Sequence, residues 1–380
     1  MEFDFDKVID RTGTGSEKWA DWEGTDVLPL PVADMDFLSP PAILEALEKR
    51  VQHGVFGYAR PTASLIESVV AMCESRYGWK IDPEWIVWLP GLVTGIHVAC
   101  RAVGGKGDAV MTTTPAYPPF LSSPRRMERT LVSVPLVCED GYWGIDWEAM
   151  EEAVTPETRL FMFCHPHNPT GRVFRKDELE RLAQFCLDRD IVICSDEVHC
   201  DLILDDLPHI PMASLSDEVA DKTITLMAPS KTYNVAGLGC SFAVIPDAKL
   251  RAAFERAKEG IVPMVTVFGY TACEAAYRYG EPWRLELIEY LRGNRDRVLS
   301  FIEEEIPEIK TTPVEATYLA WLDVRELQLA DPIAFFKKAG VELSDGRFFG
   351  GDGFVRLNFG CPRSILDTAL ERIRRAVRER

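Results

Sequence analysis

The chain has 380 residues, of which 47% are hydrophobic and 27% are charged. This length suits two or three domains, or one large α/β enzyme with a smaller lobe, and it is ample for a sizeable buried core. The net charge of -18 disfavours nucleic-acid and anionic-membrane partners, because the protein as a whole would repel them. We therefore expect neither a nucleic-acid partner nor a membrane partner.

The ten cysteines include no C-x-x-C pair, and several lie inside apolar runs, where cysteine behaves as a small hydrophobic residue. We expect free thiols. The first six residues are acidic and lack the basic-then-apolar pattern of a signal peptide, and no apolar stretch approaches membrane-spanning length. These features predict a cytoplasmic location.

The first forty residues show no long periodic pattern, and they hold Trp19 and Trp22 among several glycines and prolines. They predict an extended arm that lies over the rest of the protein. Apolar spacing then predicts helices over residues 40–52 and 64–77 and a strand over residues 85–88.

A glycine-containing turn follows that strand, at residues 90–95, and leads into a helix. A strand, a turn and a helix start in this order direct free backbone N–H groups and the positive end of the helix dipole at one point, which suits a phosphate. Val93 and Thr94 lie in the turn, and the Thr94 hydroxyl could add a donor. Neither G-x-G-x-x-G nor the Walker pattern is present, so the turn is not a nucleotide fingerprint.

Tyr117 follows a predicted strand over residues 109–113 and lies between Pro115 and Pro118. Flanking prolines hold an aromatic side chain at a loop tip, where it can stack on a planar ligand. Packing into the core is the alternative for this side chain.

Three further apolar, β-rich runs predict core strands, over residues 160–164, 191–194 and 223–227. They are followed by Asn168, Asp196 and Lys231, respectively. Because open α/β sheets bind ligands beyond the carboxyl ends of their parallel strands, we expect these side chains to meet at one edge. Taken singly, a surface lysine and an Asn-Pro turn remain alternatives.

This combination of side chains suits pyridoxal phosphate. That cofactor needs an amine that bonds its aldehyde, a carboxylate that keeps its pyridine nitrogen protonated, and a donor beside its phenolic oxygen. Lys231, Asp196 and Asn168 supply these groups, and a carboxylate after a buried strand would be costly without a cationic partner. We expect no metal, because His165 and His167, with a neighbouring cysteine, lack a fourth ligand at suitable spacing.

The pattern changes from about residue 281. A long amphipathic helix, two strands and a last helix predict a compact α+β lobe, over residues 283–306, 316–322, 354–359 and 364–377. We expect an α/β fold in which residues 46–280 form a large, doubly wound domain with a mostly parallel sheet. Residues 1–45 and 281–380 together form the smaller lobe.

The order Asn-Pro-x-Gly, Asp-x-x-His and Ser-Lys, with spacings of 28 and 35 residues, resembles the fold-type I pyridoxal-phosphate enzymes of the class I and II aminotransferase superfamily. Within that superfamily the chain resembles the cystathionine β-lyase group, the carbon–sulfur lyases. The narrower resemblance rests on four segments, residues 11–19, 32–37, 56–62 and 356–364. It extends over nearly the whole chain.

The resemblance implies roles for further cofactor-binding residues. Tyr117 would stack on the pyridine ring, and Ser230 would donate to the phosphate. Tyr58 would contact the phosphate in a neighbouring subunit, which implies a homodimer with shared active sites; a packed loop aromatic is the alternative. His199 stands where many relatives have tyrosine, and it would either hydrogen-bond the phenolic oxygen or be a surface imidazole.

On the substrate side, Ala33 and Asp34 would border the substrate carboxylate, and Arg356 would hold it through two hydrogen bonds. An ion pair with one of the many acidic residues is the alternative for Arg356. The chain departs from the family pattern at two positions: Pro31 replaces a common tryptophan, and Gly239 stands where many aminotransferases have a phosphate-binding arginine. These departures predict a reshaped pocket wall and a phosphate held by backbone N–H groups, hydroxyls and the neighbour's tyrosine.

The resemblance implies β-elimination from a small amino-acid substrate such as cystathionine or cysteine, giving a thiol, pyruvate and ammonia. Lys231 would remove the Cα proton as general base, and Asp196 would stabilise the protonated pyridine. An aminotransferase acting on an amino acid and a 2-oxo acid is the alternative, since it uses the same residues. A regulatory protein that keeps the pocket but contacts a partner also stays open.

Overall fold

The computed structural model describes residues 2–380, and three sheets organise that part of the chain. The strands are β1 (Leu28–Pro29), β2 (Ile86–Leu89), β3 (Ala109–Thr114), β4 (Thr130–Glu139), β5 (Tyr142–Ile145), β6 (Thr158–Cys164), β7 (Val192–Asp196), β8 (Thr223–Met227), β9 (Ser241–Val244), β10 (Lys310–Thr311), β11 (Leu319–Asp323), β12 (Val341–Glu342), β13 (Ser344–Asp345) and β14 (Phe354–Asn358).

The helices surround these sheets. They are α1 (Pro41–His53), α2 (Ala63–Tyr77), α3 (Leu92–Ala102), α4 (Pro118–Arg126), α5 (Trp147–Ala153), α6 (Lys176–Leu187), α7 (Asp217–Ala220), α8 (Ala248–Lys258), α9 (Val267–Tyr279), α10 (Glu281–Glu305), α11 (Pro332–Lys338) and α12 (Arg363–Arg378). No helix within residues 2–380 is long and apolar enough to cross a membrane.

The largest sheet has eight strands in the order β2-β9-β8-β7-β6-β3-β4-β5. The five central strands from β8 to β4 pair in parallel, whereas β9 and β5 run antiparallel to their neighbours. Helices cover both faces: Leu160 and Met162 of β6 pack in a cluster with α3 and α8, while Phe161 and Phe163 pack in another with α6. Burial on both faces explains the continuous apolar runs in these strands. The predicted doubly wound α/β fold is confirmed.

A smaller antiparallel sheet, in the order β10-β11-β14-β13, follows α10. The arm joins this part of the chain, because β1 pairs in parallel with β12. The strand predicted from residue 316 begins at Leu319, because Thr317 has a φ of 73°, outside the extended region. The division of the chain at residues 45 and 280 stays a prediction.

A cluster of charges anchors the arm. Asp36 is buried and accepts hydrogen bonds from Lys18 Nζ and Arg11 Nη1 at 2.6 Å each, and from Trp19 Nε1 at 2.9 Å. Two cations and an indole N–H satisfy both carboxylate oxygens, which offsets the cost of burying this charge. The cluster thus holds residues 11–19 against the segment around Asp36.

Candidate active site

A cavity of about 790 Å³ opens beyond the carboxyl ends of β6, β7 and β8. Its size is in the range of small-molecule sites. The strand register pairs Cys164 with Asp196 and Asp196 with Leu226, so these strands end at nearly the same level. The cavity wall therefore brings together Asn168, Asp196 and Lys231, as predicted, and adds Tyr117, His199, Ser230, Arg356, Ala33 and Asp34.

Asp196 is the last residue of β7, and it is buried. Its Oδ1 accepts a hydrogen bond from the Val198 N–H at 3.2 Å. Burial raises the pKa of Asp196 to about 7, against the opposing effects of the Val198 hydrogen bond and the charge of Lys231. In the described residues no cation lies within ion-pair distance of this carboxylate. A buried carboxylate of this kind suits a cationic ligand group.

Lys231 lies in the turn that follows β8, and its Nζ donates a hydrogen bond to the Ala33 carbonyl at 2.7 Å. Burial and the nearby Arg356 charge lower the pKa of Lys231 to about 8, although Asp34 and Asp196 oppose this shift. A lysine with a lowered pKa has a larger neutral fraction near neutral pH, and only the neutral amine is a nucleophile or a base.

Arg356 lies on β14 and is buried beside Asn168. Its guanidinium donates to Asn168 Oδ1 at 2.9 Å, to the Pro31 carbonyl at 2.8 Å and to Ser344 Oγ at 3.2 Å. Burial lowers the pKa of Arg356 to about 10. From residue 2 to residue 380, no carboxylate lies within 4.0 Å of this cation. The alternative of a protein ion pair is therefore wrong, and the group suits an anionic ligand.

The same contact orients Asn168. Arginine carries only donors, so the amide oxygen of Asn168 must face Arg356. Its Nδ2 consequently remains a donor for another acceptor, and the side chain lines the cavity. Asn168 was predicted to donate to the phenolic oxygen of pyridoxal phosphate, and this orientation leaves Nδ2 free to donate to such an oxygen.

The predicted phosphate turn lies at the start of α3, after Gly91. Gly91, Leu92 and Val93 line the cavity, and the first N–H groups of a helix have no intrahelical acceptor. Thr94 is half-buried in the first turn of the helix but is not part of the cavity wall. Ser230 lines the cavity with its side chain half-buried.

Gly239 has a φ of +62°, which is in the left-handed region, and a Cβ there would stand 3.0 Å from the Pro90 carbonyl oxygen. An arginine at this position would therefore be strained and would press on the chain just before α3. The turn is built for glycine.

Tyr117 precedes α4 and is half-buried in the cavity wall, where burial raises its pKa to about 12. His199 is buried, and its Nδ1 has no hydrogen-bond partner in the described part of the chain. Burial, with the charges of Lys231 and Arg356, lowers the pKa of His199 to about 3. The alternative of a surface imidazole is wrong, and His199 is a neutral ring in the cavity wall.

Tyr58 lies in the loop after α1, outside the cavity of its own chain, and is 99% exposed. The alternative of a packed loop aromatic is therefore wrong. Its contact with a neighbour's phosphate stays a prediction.

Several residues that hold the arm at the cavity have no role in the sequence analysis. The Ala33 carbonyl accepts from Tyr318 OH at 2.9 Å as well as from Lys231. Asn358 Nδ2 donates to the Val32 and Asp34 carbonyls at 2.6 Å each. Asn234 similarly donates to the carbonyls of Met35 and Phe37, at 2.9 and 2.8 Å. Asn234 and Asn358 lie close in the chain to Lys231 and Arg356, and this was the available sequence signal for such contacts, because an amide can bind backbone groups of another segment.

Residues 25–373 match the family described as "Aminotransferase class I and II", and the chain belongs to this family. The chain is 41% identical to "Cystathionine beta-lyase PatB" of Bacillus subtilis (strain 168), over 98% of this chain and 99% of the relative. The crystal structure of OvoB matches with a TM-score of 0.96 and 46% identity, over 99% of each chain. Cystalysin from Treponema denticola, whose crystal structure contains pyridoxal 5'-phosphate, matches with a TM-score of 0.95 and 36% identity over 100% of each chain. The predicted family is confirmed.

Proposed function

We propose that the protein is a pyridoxal-phosphate-dependent carbon–sulfur β-lyase, which cleaves cystathionine or related cysteine conjugates into a thiol, pyruvate and ammonia. One observation carries the proposal: Lys231, Asp196 and Arg356 line a single cavity, and none of them has an ion-pair partner in the described residues. The full-length similarity to a named cystathionine β-lyase and to cystalysin supports it.

Pyridoxal 5'-phosphate supplies, when bound, an aldehyde that bonds amines and a ring that accepts the electron pair left at a substrate's Cα. The residues of the cavity fit this group. The Lys231 amine suits the aldehyde, the Asp196 carboxylate suits the ring nitrogen, and Asn168 Nδ2 suits the phenolic oxygen. His199 suits the same oxygen, and Tyr117 suits the ring face.

The phosphate has a matching set of donors at the other end of the cavity. We assign it to the first N–H groups of α3, at Leu92 and Val93, and to the Ser230 hydroxyl. We do not assign Thr94 as a phosphate donor, because this residue does not line the cavity.

Arg356 holds the substrate carboxylate, with the Ala33–Asp34 segment beside it, and so directs the Cα–H bond at Lys231. The Lys231 amine, free once the substrate amine has taken its place at the aldehyde, would accept the Cα proton. Asp196 keeps the ring nitrogen protonated and thereby stabilises the charge that develops. Sulfur leaves Cβ with the electron pair of the C–S bond and takes up a proton to give the thiol. Water then releases pyruvate and ammonia.

The decisive experiment incubates the purified, cofactor-loaded protein with L-cystathionine and no 2-oxo acid, and measures pyruvate and free thiol. We expect stoichiometric pyruvate and thiol, whereas L-alanine, which has no leaving group at Cβ, should give little product. No pyruvate from cystathionine, together with sustained amino transfer to 2-oxoglutarate, would replace the lyase with the aminotransferase.

We also propose that the protein is a homodimer with shared active sites in a reducing cytoplasm. Phe56 and Tyr58 are large exposed side chains of the loop after α1, and Phe56 packs against Phe268 of α9 at a ring distance of 5.3 Å. A second copy covering this region would bring Tyr58 to the other cavity. The ten free cysteines, nine of them buried, support a reducing location.

A further inference from the structure

Glu17 lies at the opening of the cavity, in the arm that closes one side of it. Its side chain is exposed and lines the cavity next to Ser16. Among residues 2–380, no cation lies within 4.0 Å of the Glu17 carboxylate. The neighbouring Ser16 Oγ is shielded from solvent and has no hydrogen-bond partner in the same part of the chain. The opening therefore presents a free carboxylate, at Glu17.

The other two carboxylates of the arm that line the cavity, Asp34 and Asp36, are already paired with cations. Asp34 pairs with Arg11 at 2.7 Å, and Asp36 pairs with Arg11 and Lys18 at 2.6 Å each. A charge that is satisfied by protein cations exerts little attraction on a ligand. Among the arm carboxylates that line the cavity, Glu17 is thus the one that remains for an entering solute.

The charge of Glu17 also reaches the reacting groups. Burial lowers the pKa of Lys231 to about 8, and the charge of Glu17 acts against that shift. Burial raises the pKa of Tyr117 to about 12, and the negative charge of Glu17 contributes to this upward shift. The part of a substrate that lies between Lys231 and the opening therefore lies within the field of Glu17.

The orientation of the substrate determines which of its groups lies near Glu17. If Arg356 holds the α-carboxylate and Lys231 faces Cα, the group attached to sulfur extends away from both toward the opening. Resting on the lyase function proposed above, we propose that Glu17 selects substrates whose sulfur substituent carries a cationic amino group, as the distal ammonium of cystathionine does, over those whose substituent ends in a carboxylate alone.

Binding tests this selection without any elimination step. L-Lysine, L-norleucine and L-2-aminoadipate have side chains of similar length that end in an ammonium, a methyl and a carboxylate, and they carry no leaving group at Cβ. Titration calorimetry on the holoenzyme should give dissociation constants that rise in this order, with steps of about two- to five-fold, as for an exposed charge pair. In Glu17→Gln the step between lysine and norleucine should vanish, and in Glu17→Lys the order should reverse.

The control is Glu304→Gln, which removes an exposed carboxylate of α10 that does not line the cavity, and changes the net charge equally. It should keep the wild-type preference. Equal affinities for lysine and norleucine in the wild type, a preference that survives in Glu17→Gln, or an equal loss in Glu304→Gln would each overturn the proposal.

Kinetics then extend the test to reacting substrates. The ratio of kcat/KM for S-(2-aminoethyl)-L-cysteine to that for S-propyl-L-cysteine should fall about two- to five-fold in Glu17→Gln, and wild-type preference should shrink in 1 M salt. A ratio unchanged by Glu17→Gln would overturn the selection by Glu17. Absence of pyruvate from both conjugates would instead defeat the lyase function, while the calorimetric order would still decide the role of Glu17.

Discussion

Asp196 is in a costly position for the cofactor-free protein, since its carboxylate is buried without a cation. Its pKa is raised from 3.8 to about 7, so the stability that the protonated group contributes is fully present below pH 3.8 and is lost as the pH rises through 7. Residues that serve a ligand commonly cost stability in its absence.

We therefore predict opposite effects of Asp196→Asn on stability and on turnover. Without cofactor, the variant should have a thermal midpoint at least equal to that of the wild type, with an advantage that grows between pH 4 and pH 8. Turnover of the loaded variant should fall by more than about a hundredfold, because the ring nitrogen loses its electrostatic partner. Thermal melts across this pH range and steady-state pyruvate assays measure the two effects. A folded variant with near-normal turnover would show that another residue faces the ring nitrogen.

For single residues, the sequence could predict the functional side chains that follow core strands. It could not predict the residues that hold these side chains in position. Asn168, Asp196 and Lys231 were predictable because apolar strands of a parallel sheet end at one edge, and chemistry then distinguishes their side chains. The contact of Lys231 with the Ala33 carbonyl joins residues 198 positions apart. Tyr318 meets the same carbonyl from the smaller sheet, and no local pattern encodes that convergence.

The turn that connects Lys231 to β9 shows how an element constrains chemistry. Residues 236–238 form a single 3-10 turn, and Gly239 ends it with left-handed backbone angles. Gly239 is also close to the carbonyl of Pro90, two residues before α3 begins. The backbone conformation of one loop thereby shapes the phosphate end of the cavity. The sequence showed the missing arginine, but the φ of +62° that explains it depends on how the two loops meet.

We predict that Gly239→Ala lowers the thermal midpoint and weakens cofactor retention. An alanine in the left-handed region costs roughly 1–2 kcal/mol, and its Cβ would stand 3.0 Å from the Pro90 oxygen and displace the start of α3. Melting curves and the visible absorbance that remains after dialysis measure the two effects.

Gly237→Ala is the matched control, because Gly237 lies two residues earlier, has no left-handed φ, and would have no other atom within 4 Å of an added Cβ. It should melt close to the wild type. Equal destabilisation by the two substitutions would mean that the turn, rather than the conformation of Gly239, sets the cost.

For the whole molecule, the predicted and observed elements agree where a pattern is regular. The helix predicted over residues 283–306 is α10, and the eight-stranded sheet has the predicted mostly parallel order. The arm was predictable only as an extended segment, because its position depends on long-range contacts such as the pairing of β1 with β12. The charged residues of the arm did not predict its position either, because the ion pairs of Arg11 and Lys18 with Asp36 form only in the folded protein.

The last prediction concerns the proposed shared site. Tyr58 is 99% exposed and lies outside the cavity of its own chain, whereas Lys231 lies in the wall of that cavity. If Tyr58 serves the neighbour's cavity, Lys231→Ala and Tyr58→Ala each damage both sites of their own homodimer, but in a mixed dimer the two substitutions fall in the same site. One site of that mixed dimer keeps both side chains. Random exchange makes half of the dimers mixed, so about a quarter of wild-type sites should be restored in a closed two-fold dimer.

The measurement mixes the two inactive proteins after reversible dissociation, at a cofactor concentration that leaves Tyr58→Ala largely unloaded, and follows pyruvate release from cystathionine. Recovery toward a quarter of the wild-type rate is the expected result. Mixing Lys231→Ala with Asp196→Asn is the control, because both side chains lie in the same cavity wall and every mixed site retains one defect. If the Tyr58→Ala mixture gains no more activity than this control, Tyr58 does not complete a neighbour's site, and the exposed aromatic must serve another contact.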